Sequence, residues 1–137
     1  MRRPILSSLM LLFAAAARAA DSGEASEDFR ARQAQAIWNL QVLEGMIRPM
    51  PDPGSERPTP PAVAAYGRLL SENVGAMQRI DFSASTDEQR RQAAEGWQAI
   101  AVGARDLAGL SRNRRLDRFA QILTELETRC RSAAKGL

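Results

Sequence analysis

Residues 116–137 read LDRFAQILTELETRCRSAAKGL, and this stretch decides the fold. Leu116, Phe119, Leu123, Leu126, Cys130 and Ala133 recur at alternating spacings of three and four, which puts all six on one stripe of an α-helix. An isolated helix of this length is marginal in water. Burying each large apolar side chain is worth about 1.5–3 kcal/mol, so the stripe requires partner helices upstream.

The first partner is expected near residues 26–48. Phe29, Gln33, Ala36, Leu40, Leu43 and Ile47 form its stripe, with Ile37 and Met46 alongside and Arg30, Arg32, Gln41, Glu44 and Arg48 opposite. Trp38 lies off the stripe centre, where it covers the bundle edge or faces a neighbour. Residues 20–26, ADSGEAS, are small and polar and read as a frayed lead-in. Six of the seven prolines fall between Pro49 and Pro61, which stops the helix and makes a stiff crossover.

A second helix is expected over 60–79, capped by Thr59 and opened by Pro60 and Pro61. Its stripe reads Ala62, Tyr66, Leu69 or Leu70, Asn73 and Met77, with Val63 and Val74 alongside, weakened by Gly67, Asn73 and Gly75. Ile80 and Phe82 lie in the next turn and tuck against the bundle end. Ser85 stands three residues before Glu88, the spacing of a capping box, so a third helix is expected over 86–108. Gln89, Ala93, Trp97, Ile100, Ala104 and Leu107 carry its rhythm, Gly109 closes it, and residues 110–113 form a short connection to a last helix over 113–134. No period-two alternation is sustained, no hairpin turn signal appears and no repeat is visible. The expected fold is therefore all-α, an antiparallel four-helix bundle, with its first and last helices in contact.

Arg2 and Arg3, an apolar run from Ile5 to Ala17 and the small residues around Arg18 read as a secretory signal peptide over residues 1–19, leaving a bundle domain over 20–137. The run is short of the ~20 residues that span a bilayer, and no later stretch approaches that length, so an exported periplasmic protein with no membrane segment after cleavage is expected. The formal charge of +3 includes Arg2, Arg3 and Arg18, while all 16 acidic residues lie beyond residue 19. The domain is thus neutral, and composition makes no case for nucleic acid or an anionic membrane as partner.

Histidine is absent, which removes the commonest general base and the commonest metal and haem ligand. There is no Ser-His-Asp set, no Gly-rich phosphate loop and no Glu-x-x-His motif, so neither catalytic residues nor a metal site are expected and the chain does not read as an enzyme. One cysteine cannot make an internal disulfide. Exposed at a helix end, Cys130 would join two copies into a homodimer. Arg112, Arg114, Arg115 and Arg118 form a basic cluster, either a solvated helix start or a dock for an acidic periplasmic redox protein.

Trp38-Asn39-Leu40, then Gly45-Met46-Ile47, Phe82 in the second loop, Trp97 in the third helix and a lone cysteine near the end together resemble the class II c-type cytochromes, the cytochrome c′ group. That family carries Cys-x-x-Cys-His in its final helix, two thiols for the haem vinyl groups and a histidine for the iron. The matching positions here are Cys130, Ala133 and Ala134. The resemblance implies a periplasmic bundle from an electron-transfer and haem-binding family, acting here as a haem-free binding or structural module. The alternatives are a true electron-transfer or gas-binding cytochrome, its haem c held by a single thioether at Cys130 with Lys135 or a methionine as ligand, and an unrelated exported adaptor or chaperone.

Overall fold

The computed structural model describes the backbone from Arg2 and the side chains from Gly23 to Leu137. The side chains of the expected signal peptide, residues 1–19, lie outside the described residues. Four helices make up the fold: α1 (Arg2–Ile47), α2 (Pro61–Gln78), α3 (Asp87–Asn113) and α4 (Asp117–Lys135). Among the described residues there is no strand, and no helix is long and apolar enough to cross a membrane.

In α1 the stripe packs as its periodicity predicts, with Phe29, Ala36, Leu40, Leu43 and Ile47 all buried. The opposite side carries exposed i,i+4 ion pairs, Arg32 with Asp28 and Arg48 with Glu44. Residues 20–26 are not frayed but continue the helix. The proline-rich crossover then leaves α1 and is tied down from outside, because the backbone N–H of Arg57 donates to the carbonyl of Arg115 at 3.1 Å.

Helix α2 is rotated toward the Val63 and Val74 edge of its expected stripe. Val63, Gly67, Leu70, Val74 and Met77 are buried, whereas Ala62 and Leu69 are exposed. Gly67 lies in the middle of this buried face. A Cβ there would lie 2.7 Å from Cε1 of Phe119, so the glycine is the notch that receives the Phe119 ring of α4. Thr59 does not cap this helix; the N-cap is Pro60, which makes no side-chain bond.

The capping box of α3 is one residue later than expected. The backbone N–H of Gln89 donates to Oγ1 of Thr86 at 3.1 Å, and the backbone N–H of Thr86 donates to Oε1 of Gln89 at 2.9 Å. Both S-x-x-E and T-x-x-Q satisfy the local rule, but Ser85 is buried in the preceding turn and unable to stand at the helix entrance. At its other end α3 runs through Gly109 to Asn113, so residues 110–113 are helical and not a connection. The stop is a Schellman motif: Leu116 N–H donates to Ser111 O at 2.9 Å, Arg115 N–H donates to Arg112 O at 3.0 Å, and Arg115 takes φ 64°. In α4 the stripe of Leu116, Phe119, Leu123, Leu126 and Cys130 is buried throughout, with Ala120 and Ala134 beside it.

Consecutive helices alternate in direction. Asn73 on α2 donates to the carbonyl of Arg32 on α1 at 2.6 Å while Tyr66 stacks near Trp38, and Arg131 and Arg112 reach Gln98 and Thr124 across the α3–α4 pair. The expected contact between the first and last helices is not made: among the described residues α1 and α4 nowhere bring Cα atoms within 8 Å, and neither do α2 and α3. These are the diagonals of the bundle. Instead α1 lies along α3, running in the same direction, and α2 lies along α4 in the same way. Gly96 and Gly103 explain the first choice. A Cβ at Gly96 would meet Cε1 of Phe29 at 2.8 Å, and one at Gly103 would meet Cδ1 of Leu40 at 2.9 Å, so these glycines form a lane into which α1 side chains settle.

Candidate functional site

The C-terminal end of α4 meets the 79–86 turn, and that turn builds an aromatic plug. Phe82 is buried against Phe29, ring centroids 5.7 Å apart at 71°, and Phe29 in turn meets Trp97 at 5.4 Å and 68°. Edge-to-face pairs of this kind add about 0.5–1.5 kcal/mol each beyond the area they bury. The guanidinium of Arg90 fixes the turn by donating to the carbonyls of Phe82 at 3.1 Å and Ser85 at 2.7 Å and to the Asp87 carboxylate at 2.6 Å. A further hydrogen bond from the Ser83 backbone N–H at 2.9 Å holds the Asp81 carboxyl below the ordinary carboxylate range.

Between this turn and α4 lies a cleft of about 460 Å³, lined by Met77, Ile80, Phe82, Arg90, Trp97 and Ala133 among others. Its size falls within the range of small-ligand sites, roughly 300–1,000 Å³. Nothing in the sequence names Arg90 as the residue that holds this end together; only the carbonyls it reaches reveal the role.

Cys130 lies one helical turn from Ala133 but deeper in the bundle. It is 0% exposed, a member of the core cluster, and does not line the cleft beside Ala133. Burial pushes its thiol up to about 11, with Arg129 opposing the shift weakly, so the nucleophilic thiolate is scarce at neutral pH. Lys135 is exposed and does not line the cleft; of the methionines, Met77 does. Among the described residues no group of three or more acidic or cysteine side chains gathers as a metal site.

Thioether formation needs the Cys130 sulfur beside a vinyl group, yet that sulfur is sealed inside the helix interface, and Ala133, which does face the cleft, has no sulfur. Ala134, at the family's histidine position, turns into the core at 9% exposure. Of the early motif, Trp38 is 50% exposed and lies against Tyr66, ring centroids 6.1 Å apart and tilted at 55°, while Asn39 and Leu40 are buried.

The opposite end of the bundle gathers arginines. Arg112, Arg114, Arg115 and Arg118 surround the α3–α4 turn, and tertiary hydrogen bonds bring Arg48 and Arg57 to them. Arg114 donates to the carbonyl of Arg48 at 2.8 Å, and the backbone N–H of Arg57 donates to the carbonyl of Arg115 at 3.1 Å. The sequence places only the first four together. Comparison of the chain with protein families, with characterised proteins and with solved structures returns no match.

Proposed function

We propose that the chain is an exported four-helix bundle that works in the periplasm as a haem-free binding or structural module. The observation that supports this reading is the packing of Cys130: its thiol is closed inside the core with a raised pKa, so the one residue left from a Cys-x-x-Cys-His pattern serves packing, the usual role of a buried free cysteine.

The test is expression together with c-type haem attachment machinery. The expected product is colourless and unstained for haem peroxidase activity on a denaturing gel. A Soret band whose haem survives denaturation, and is lost in Cys130→Ala, would reject the reading and restore electron transfer or gas binding. The double change Ala133→Cys with Ala134→His tests the resemblance separately, because Ala133 lines the cleft and a thiol there meets open space. A red, covalently bound product supports descent from the cytochrome c′ group. If both proteins stay colourless, the unrelated adaptor becomes the better reading.

A further inference from the structure

Arg115 is the one non-glycine residue with positive φ among the described residues. The left-handed conformation costs an ordinary side chain about 1–2 kcal/mol, and glycine is the residue that avoids the cost at this position of a Schellman motif. Inside the chain the Arg115 side chain returns nothing: among the described residues it makes no hydrogen bond and no ion pair, and it is exposed. Its neighbours share this state. Arg112 and Arg118 are exposed and without a carboxylate partner, Arg112 making only a 3.4 Å contact to the Thr124 hydroxyl. Beneath them Arg57 and Arg114 hold the platform, each with an Nε donor shut off from water and lacking an acceptor. Backbone strain and two buried unpaired Nε donors thus lie at one end of the molecule, beneath three exposed guanidinium groups of which only Arg112 makes an internal contact.

We propose that this end is a docking site for an acidic peptide segment of a partner protein, whose spaced carboxylates are taken by Arg112, Arg115 and Arg118. Guanidinium forks match carboxylates bidentately. The exposed Glu44, paired with Arg48, and Asp117, in the first turn of α4 beside Arg118, stand near the arginines and select against a continuous phosphate surface, which would press charge against both. A peptide can place its carboxylates between them. The proposal rests on the binding-module reading only in expecting a partner, and a haem-bearing chain that binds such a peptide would overturn that reading while leaving this one intact.

The experiment titrates the full chain with a short fluorescein-labelled peptide of alternating Glu and Gly, followed by anisotropy, beside a Gln-for-Glu control, inorganic polyphosphate and phosphatidylglycerol vesicles. Binding is expected for the Glu peptide at about 10 mM salt and should weaken steeply by about 150 mM, as contacts between exposed charges are screened. Arg112→Ala, Arg118→Ala and Arg115→Gly should each weaken it about two- to fivefold, and all three together by about tenfold or more. Arg115→Gly must do so while the protein becomes more stable, which excludes damage to the fold as the cause. Arg79→Ala and Arg129→Ala, at the other end of the bundle, should leave binding unchanged. No binding at low salt, equal losses from the two control substitutions, or tighter binding of polyphosphate or vesicles than of the peptide would overturn the proposal.

Discussion

Replacing Arg115 by glycine should make the protein more stable. The residue sits at φ 64°, where its Cβ is crowded, at a cost of about 1–2 kcal/mol relative to a right-handed conformation. Glycine removes that cost and returns part of it, because its unfolded chain is freer by about 0.5–1 kcal/mol. The net gain is about 0.5–1 kcal/mol. The two backbone bonds that define the motif, Leu116 N–H to Ser111 O and Arg115 N–H to Arg112 O, do not involve the side chain, and neither does the bond from Arg57 N–H to Arg115 O. None is lost. Arg115→Ala separates the conformational effect from loss of the guanidinium, since alanine keeps the Cβ. Urea unfolding followed by circular dichroism should place Arg115→Gly above both the parent and Arg115→Ala, with a melting temperature raised by about 2–5 °C. Arg115→Gly equal to or below Arg115→Ala in stability would refute the assignment of left-handed strain to this residue.

Two further outcomes follow from the caps and the core. Thr86→Ala should cost about 1 kcal/mol because it empties the capping box, whereas Ser85→Ala should be neutral or slightly stabilising, since it deletes a buried hydroxyl with no partner; the reverse order in denaturant midpoints would place the cap at Ser85. The Cys130 thiol has its folded pKa raised from 9.0 to about 11, so the folded state holds the proton more tightly and the associated stability is complete below pH 9 and lost as pH rises towards 11. Between pH 8 and 10.5 the parent should lose about 2 kcal/mol more than Cys130→Ala. Parallel pH profiles for the two proteins, or a disulfide-linked dimer under mild oxidant without denaturant, would mean the thiol is not buried.

The number of helices, the proline-rich break and the inward faces of α1 and α4 were legible in the residues alone, because helical periodicity is a local property and Leu40, Leu43, Leu123 and Leu126 announce it. Burial of Cys130 was legible in the same way, as one more step on the α4 stripe. Where local rules tied, sequence misled or left a choice: Ser85 and Thr86 both head a capping box, Gly109 looked like a helix end, and Leu69 stood level with Leu70 on α2. Tertiary packing broke each tie. Phe119 needs a position without a side chain, so Gly67 turns inward; α1 needs a lane, so it follows Gly96 and Gly103 along α3 and takes the diagonal position from α4. The candidate sites depended on the same long-range geometry. Arg90 serves two carbonyls in the preceding turn, and Arg57 joins the α3–α4 arginines from some sixty residues away, because hydrogen-bond partners are set by which helix ends share a corner of the bundle and not by spacing along the chain.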